Sequence, residues 1–141
     1  MLYARINLQE TNYKLLTNCK MLDTPNIIQL NSIYKDYCRY KKFKSVMPIF
    51  DEEYLDIKND VIGYYDNNEL VAFSLIRKYD ETNIEAVQFA WNYKTPKLNL
   101  GFKSLENECA LYKKLGYKFL YLGEADEYKS KFDGFEILGS A

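Results

Sequence analysis

The chain has 141 residues, of which 48% are hydrophobic and 16% aromatic, and its 19 basic and 20 acidic side chains leave a net charge of −1. This composition is typical of a globular protein rather than a disordered one, and the balanced charge gives no general attraction to nucleic acid or to a membrane surface. The sequence contains no histidine, which excludes Ser-His and Cys-His nucleophile pairs and imidazole metal sites.

The length of the chain predicts the number of domains, and its cysteines predict the cellular compartment. A chain of this length forms one domain, which we assign to residues 1–141. Cys19, Cys38 and Cys109 are odd in number and have no Cys-x-x-Cys spacing, so we expect neither disulfides nor zinc, and a reducing cytoplasm. No apolar run is long enough to span a membrane, and charge interrupts the N-terminus where a signal peptide would be apolar.

The first part of the chain predicts a strand followed by a helix. Apolar and polar side chains alternate over residues 2–8, which indicates a strand, whereas residues 12–21 fit either a short helix or a loop. Asp23-Thr24-Pro25 is a typical helix start, with a capping residue and a proline in the first turn.

A cluster of basic residues marks the end of this first helix. Its apolar face comprises Ile27, Leu30, Tyr34, Tyr37 and Cys38, and its basic cluster comprises Lys35, Arg39, Lys41, Lys42 and Lys44. Cations at a helix C-terminus are stabilised by the helix dipole, so the cluster can be an ordinary solvated helix end. The alternative is that it meets a phosphate-rich ligand.

The middle of the chain predicts a three-stranded meander. Residues 46–50 are predicted as a loop and residues 51–56 as a helical turn. Strands are predicted at residues 61–65, 70–78 and 84–93, and Asp66-Asn67-Asn68 between the first two suits a hairpin turn because asparagine tolerates positive φ. Both faces of the second strand are apolar, which is typical of a central strand covered on both sides.

The stretch 97–124 predicts a loop, a helix, a turn and a strand. Pro96 ends the preceding element and Gly101 opens a helix over residues 101–115, with Gly116 as its left-handed cap and a buried strand at residues 118–122. Its apolar stripe is Leu105, Cys109, Tyr112 and Leu115. A glycine at a helix N-terminus can hold an anion on free N–H groups, although an ordinary α/β connection has the same pattern.

The remaining residues predict one or two helical turns over residues 125–131 and a last strand over residues 135–138. The resulting order is strand, helices, meander, helix, strand, short helix and strand. We therefore predict an α+β (mixed α/β) fold with one mostly antiparallel sheet and helices on both faces.

This order is similar to that of the GNAT superfamily, the acyl-CoA-dependent N-acetyltransferases and their relatives. The family's phosphate-binding loop has an Arg or Gln, two residues, Gly, one residue, then Gly or Ala. The equivalent stretch here is Pro96-Lys97-Leu98-Asn99-Leu100-Gly101. Gly101 matches the last position, and Asn99 stands where the middle glycine is usual; asparagine can adopt the left-handed conformation.

The second half of the chain further resembles the GNAT-like C-terminal half of the arginyl- and leucyl-tRNA–protein transferases. The resemblance runs over residues 61–138 as an ordered set of short motifs. These are Gln88-Phe-Ala-Trp-Asn-Tyr93, Leu98-Asn-Leu-Gly101, Glu106-Asn-Glu108, Tyr121-Leu-Gly123, Tyr128-Lys129, Phe132 and Glu136-Ile-Leu138. The transferases' cysteine-rich N-terminal region has no counterpart in this sequence.

These resemblances imply an N-acyltransferase that moves an acetyl or aminoacyl group from acyl-CoA or aminoacyl-tRNA to a primary amine. They imply that Glu85 removes the amine's proton and that Tyr128 protonates the leaving group. The residues implied to bind acetyl-CoA or another acyl donor are Asn99, Leu100, Gly101, Phe102, Lys103, Ser104, Phe89 and Trp91.

Two other functions stay open from the sequence. One is a binding module that keeps the fold without catalysis, which the asparagine at position 99 favours. The other is an RNA-binding domain that uses the basic cluster and the tyrosines, because aromatic side chains interleaved with basic ones can stack on single strands. The acceptor amine and the oligomeric state are not determined by the sequence.

Overall fold

The structure is a computed structural model, and it describes residues 2–42, 49, 51–124 and 128–140. Within these ranges the strands are β1 (Leu2–Asn7), β2 (Cys19–Met21), β3 (Asn59–Asp66), β4 (Glu69–Lys78), β5 (Asn83–Trp91), β6 (Phe119–Glu124) and β7 (Phe135–Ser140). They form one seven-stranded sheet in the order β2-β3-β4-β5-β6-β1-β7. All described neighbours are antiparallel except β5 and β6, which confirms the predicted mostly antiparallel sheet.

The helices are α1 (Ile27–Lys41), α2 (Asp51–Leu55) and α3 (Leu100–Lys114), with 3₁₀ turns at Leu8–Glu10, Pro96–Leu98 and Tyr128–Lys131. Helix α1 begins later than the Asp23-Thr24-Pro25 pattern predicts. Asn26 is its N-cap, and the Asn26 side chain accepts a hydrogen bond from the Gln29 N–H at 3.1 Å. The helix therefore starts from the capping side chain of Asn26, three residues after Asp23.

The meander of β3, β4 and β5 is confirmed, and local turn chemistry determines its hairpin. Asn67 and Asn68 both have positive φ, at 50° and 68°. Two successive residues of positive φ give the type of turn whose twist matches that of the flanking strands. β4 is central and apolar on both faces, as its sequence predicts.

The two faces of β4 belong to two different apolar cores. Ala72 and Ile76 pack with the buried side chains of α3, whereas Phe73 and Leu75 pack with those of α1 and α2. Successive residues of a strand point to opposite faces, so α3 covers one face of the sheet and α1 and α2 cover the other.

The strand predicted at residues 118–122 lies in the sheet as β6, between β5 and β1. The helix before it ends as predicted, with Gly116 at a φ of 98°. The predicted apolar stripe of α3 is correct for Leu105, Cys109 and Tyr112, which are buried. It is wrong for Leu115, which is the C-cap, one residue beyond the end of α3, and is 57% exposed.

Other predictions fall partly outside the described residues. Residues 12–21, left open between helix and loop, contain the edge strand β2, which pairs with β3. Of the predicted loop 46–50, only residue 49 is described, and Lys44 of the basic cluster also lies outside the described residues. None of the helices described here combines the length and apolar character needed to cross a membrane.

Candidate functional site

A groove opens in the sheet where β5 and β6 part. The two strands pair from Asn83–Phe119 to Glu85–Tyr121, and beyond this point the described strands are no longer paired. The cavity between them has a volume of about 700 Å³. It is lined by Tyr37, Lys41, Ala86, Val87, Gln88, Phe89, Trp91, Tyr93, Asn99, Gly101, Phe102, Ser104, Leu105, Glu108, Leu122 and Lys129. Because α1 and α3 both line it, the groove runs from one face of the sheet to the other.

The N-terminus of α3 forms part of this groove. Asn99 is its N-cap in the left-handed conformation, with φ 49° and ψ 44°, and its carbonyl accepts hydrogen bonds from the N–H groups of Phe102 and Lys103. The N–H groups of Leu100 and Gly101 have no hydrogen-bond partner among the described residues. Free N–H groups and the positive end of the helix dipole together favour an anion at this position.

Gly101 leaves space at the same place. A Cβ atom added to Gly101 would meet no atom within 4 Å, and Gly101 lines the groove. The neighbouring Ser104 is buried and directs its hydroxyl to the Gly101 carbonyl at 3.5 Å. Phe102 stacks on Phe132 with 4.5 Å between ring centroids, which fixes the Phe102 ring at the wall of the groove.

Two residues of the predicted donor loop do not line the groove with their side chains. Leu100 is 2% exposed and belongs to the core between α3 and the sheet. Lys103 is exposed on the helix and is outside the lining of the groove. The structure therefore brings together Asn99, Gly101, Phe102 and Ser104 of this loop.

The strand β5 supplies the opposite wall, which includes the predicted residues Phe89 and Trp91. The Gln88 side-chain amide donates to the Phe89 carbonyl at 2.7 Å, on the part of β5 from which β6 has separated. Trp91 is 4% exposed, and its indole N–H has no hydrogen-bond partner among the described residues. A buried donor without a partner is costly, so a ligand acceptor in the groove would satisfy it.

Aromatic rings continue this wall towards α1. Tyr93 has a positive φ of 58°, which is rare for a bulky residue and turns the chain beside the groove. Its ring packs on Trp91 at 4.4 Å and on Tyr40 at 3.8 Å between centroids. The Lys41 ammonium lies 5.6 Å from the centre of the same ring, so this end of the groove is aromatic and carries a positive charge.

Glu108, which is not among the site residues predicted from the sequence, is a carboxylate that lines the groove and is only 3% exposed. It is located on the third turn of α3 and accepts hydrogen bonds on Oε2 from the Tyr64 hydroxyl at 2.5 Å and the Ser74 hydroxyl at 2.6 Å. Burial raises the pKa of Glu108 to about 7, while the hydrogen bonds from Ser74 and Tyr64 act to lower it. This side chain can therefore exchange a proton near neutral pH.

Further hydrogen bonds hold these groups in place. The Asn107 amide donates to the Tyr64 hydroxyl at 3.2 Å and accepts from the Leu16 N–H at 2.8 Å. Tyr64 itself is fully buried, and burial together with the Glu108 carboxylate raises its pKa well above the usual value. The network joins β3, β4 and α3, so it fixes the position of the carboxylate as well as its protonation.

The spacing of residues on α3 could have identified Glu108. Leu105, Glu108, Cys109 and Tyr112 follow the pattern i, i+3, i+4 and i+7, which is one face of a helix. A carboxylate on the buried stripe of a helix is rare unless it has hydrogen-bond partners. The same spacing would therefore have singled out Glu108 from the sequence.

The predicted base Glu85 is located elsewhere. It is opposite Arg77 on β4 and Tyr121 on β6, and it lines a separate depression with Tyr3, Tyr79 and Tyr121. Burial and, after it, the Glu85 carboxylate raise the pKa of Tyr79. The structure does not bring Glu85 together with the groove residues.

The predicted acid Tyr128 begins the 3₁₀ turn Tyr128–Lys131, and its side chain lies outside the described residues. The next residue, Lys129, lines the groove. The assignment of Tyr128 as proton donor stays a prediction.

No protein-family model and no curated protein sequence matches this chain. Solved structures do match. The N-myristoyltransferase of Saccharomyces cerevisiae with bound myristoyl-CoA matches with a TM-score of 0.67 and 12% identity, over 96% of this chain and 46% of that one. The C-terminal domain of a putative lysylphosphatidylglycerol synthetase from Agrobacterium fabrum matches with a TM-score of 0.65 and 12% identity, over 92% and 49%.

A GNAT family acetyltransferase from Elizabethkingia anophelis with acetyl-CoA bound also matches, with a TM-score of 0.53 and 17% identity, over 82% of this chain and 71% of that one. The chain therefore has a GNAT-like acyltransferase fold. It spans about half the length of the myristoyltransferase and of the synthetase domain. None of these three structures is a tRNA–protein transferase, so that closer resemblance stays a prediction.

Proposed function

We propose that this protein is an N-acyltransferase that moves an acyl group from acyl-CoA to a primary amine. The observation that carries the proposal is the groove between β5 and β6, which has free helix N–H groups on one wall and a buried carboxylate on the same helix. This arrangement offers an anion site and a proton-transfer group in one cavity. The GNAT-like fold, found in structures that hold acetyl-CoA or myristoyl-CoA, supports the choice of donor.

The donor's pyrophosphate would be bound at the N-terminus of α3. The N–H groups of Leu100 and Gly101 are available for its oxygens, and the missing side chain of Gly101 allows close approach. Asn99 adopts the left-handed conformation that the middle glycine of the family loop would adopt. The substitution of glycine by asparagine at this position is therefore compatible with donor binding.

The acyl chain and its thioester would lie along β5. Where β6 has separated, the β5 backbone between Ala86 and Phe89 has β4 as its described neighbour on one side only. Apart from the Phe89 carbonyl, which accepts from the Gln88 side chain, the backbone groups that face away from β4 can meet a ligand. A backbone N–H directed at the thioester oxygen would stabilise the negative charge that develops there. The Trp91 N–H is a further donor in the same wall.

The amine acceptor would enter from the α1 end, where the rings of Tyr37, Tyr93 and Phe89 form the wall. The faces of these rings suit the apolar part of the acceptor, because the Lys41 ammonium beside Tyr93 disfavours a second positive charge at this end. In the reaction the amine nitrogen must lose a proton and the departing thiolate must gain one. Tyr128 is proposed as the residue that protonates the thiolate, as the family resemblance implies.

Calorimetric titration with acetyl-CoA, followed by a thiol-release assay with a panel of primary amines, tests the proposal. We expect saturable binding of acetyl-CoA and amine-dependent release of free thiol. Binding without thiol release from any amine would favour the non-catalytic binding module. If acetyl-CoA does not bind and aminoacyl-tRNA binds instead, the proposed donor is wrong. If only single-stranded RNA binds, in a salt-sensitive way, the proposed function is wrong.

A further inference from the structure

Among the buried polar residues that the structure describes, Glu108 is the one whose side chain can carry a charge. It is fully enclosed by α3 and the sheet except where it meets the groove, and its Oε2 atom already accepts two hydrogen bonds. Its Oε1 atom accepts none from the described residues. We propose that Glu108 is the catalytic base that takes the proton from the amine acceptor, an inference that rests on the acyl transfer proposed above.

The position of Glu108 along α3 suits this role. It follows Gly101 by seven residues, and a rise of 1.5 Å per residue places it about 10 Å further along the helix axis. A donor whose phosphates are bound at the N-terminus of α3 would extend its thioester arm along the groove, away from that terminus. Glu108 is then located where the acyl carbon, rather than the phosphate, would lie.

Within the part of the chain that the structure describes, no other titratable group beside Glu108 competes for the proton near neutral pH. The titratable side chains around the carboxylate are Tyr64 on β3, Cys19 on β2, and Cys109 and Tyr112 on α3 itself. Burial raises the pKa of each of them, so all four are neutral at pH 7. The remaining polar neighbours, Ser74 and Asn107, do not titrate.

The proposed step is balanced. The ammonium form of the acceptor gives one proton to the Glu108 carboxylate, and the neutral nitrogen attacks the thioester carbon. The new C–N bond forms with the nitrogen lone pair, the C–S bond breaks, and its electron pair leaves with the thiolate. The nitrogen loses its second proton to water in the groove, and the thiolate gains one proton from Tyr128, the donor proposed above, which takes a proton back from that water. Glu108 returns its own proton to water, so one proton is released for each acyl group transferred.

A purely structural role is the alternative, because the Tyr64–Ser74–Glu108 network joins two strands to α3. The two roles differ in whether the titration of Glu108 changes the rate of turnover. A structural carboxylate affects folding but leaves the pH dependence of turnover unchanged. A catalytic base must be ionised, so turnover rises with pH through its pKa, which burial holds at about 7.

The test compares Glu108→Gln with wild type. Glutamine keeps an oxygen that accepts from Tyr64 and Ser74, so the fold and the affinity for acetyl-CoA should be retained. We expect kcat to fall by roughly 10²- to 10⁴-fold, with loss of the acidic limb of the pH–rate profile. The matched control is Glu106→Gln on the same helix, which is outside the lining of the groove and should keep the wild-type rate.

A second variant makes the test independent of how well Glu108→Gln folds. Ser74→Ala removes one hydrogen bond to the ionised carboxylate, so the pKa of Glu108 should rise and the acidic limb should move to higher pH. If wild type is active and both variants keep its rate and the acidic limb of its pH–rate profile, Glu108 is not the base. The proposed function would then still stand. A wild type without amine-dependent turnover overturns the proposed function and the base assignment together.

Discussion

The two faces of the sheet differ in the chemistry of what they bury. On the α1 face the buried side chains are apolar apart from one tyrosine: Leu30, Ile33, Tyr54, Val61, Leu70, Phe73, Leu75 and Ala90. On the α3 face the core also encloses Ser74, Ser104, Asn107 and Glu108. Burying polar groups costs free energy unless they are hydrogen-bonded, and a buried carboxylate costs most. The α1 face therefore stabilises the fold through apolar burial, whereas the α3 face keeps its polar groups buried only through their hydrogen bonds.

The largest effect is expected on the apolar face. Phe73→Ala removes a fully buried ring from the core beneath α1 and should lower the free energy of unfolding by roughly 3–5 kcal/mol. The adjacent Ser74→Ala, on the opposite face, should cost only about 1 kcal/mol, since it loses one hydrogen bond. Urea unfolding of both variants measures the difference. Equal losses in the free energy of unfolding would show that the two faces of the sheet contribute equally to stability, which would contradict the difference described above.

The pH dependence of stability isolates the cost of the buried carboxylate. The pKa of Glu108 in the folded protein is raised to about 7, above its value in the unfolded chain. The folded state therefore holds a proton that the unfolded state has lost, and stability falls as pH rises towards 7. Between pH 5 and pH 8 wild type should lose roughly 2–3 kcal/mol more than Glu108→Gln, since each pH unit contributes about 1.4 kcal/mol.

Unfolding curves of both proteins at several pH values provide the measurement. If the free energies of unfolding of wild type and Glu108→Gln change with pH in the same way, Glu108 titrates at its ordinary pKa. The buried carboxylate would then not make the α3 face electrostatically different from the α1 face.

The donor site should be sensitive to a side chain at Gly101. Gly101→Val places two methyl groups in the groove while meeting no atom of the fold at Cβ. Affinity for acetyl-CoA should fall by more than tenfold, which is over about 1.4 kcal/mol, with little change in melting temperature. Ala110→Val on the same helix, outside the lining of the groove, is the control. Equal affinities of wild type and Gly101→Val would remove Gly101 from the site.

The smallest effect is expected from removing a single hydrogen-bond donor. Such a donor can serve a ligand, as we propose for Trp91, or it can serve the fold, as Tyr112 does. Trp91→Phe removes an N–H without a described partner, so donor affinity should fall by about 1 kcal/mol while stability holds. Tyr112→Phe removes a hydroxyl that donates to Asp60 at 2.7 Å, so stability should fall by a similar amount while affinity holds. Calorimetry and melting curves of the two variants measure both quantities. The same response from both would mean that the Trp91 N–H is not directed at a ligand.

Local chemistry made several elements predictable from the sequence. The Asn67-Asn68 turn, the left-handed Gly116 after α3 and the alternating strands around them depend on residues within a few positions of one another. The same holds for Asn99, whose left-handed conformation was foreseen as possible from its residue type. These features formed as predicted because φ preferences and side-chain periodicity act over one or two turns.

Predictions failed or stayed open where a distant partner decides the outcome. The strand β2 exists because residues 19–21 pair with β3, not because of their own propensity. Leu115 fits the stripe of α3 by spacing, but it lies one residue beyond the end of the helix and is exposed. Glu85 has the residue type of a base, yet the strand places it away from the groove.

The sequence by itself determined the order of the elements apart from β2, the meander, the glycine at the N-terminus of α3 and the resemblance to a fold family. Only the tertiary structure decided where the groove opens, because β5 and β6 come from parts of the chain about thirty residues apart and separate after Glu85 and Tyr121. It likewise decided that Glu108 is buried beside Tyr64 and Ser74. A carboxylate's pKa depends on its surroundings, and those are assembled from three elements that no local pattern connects.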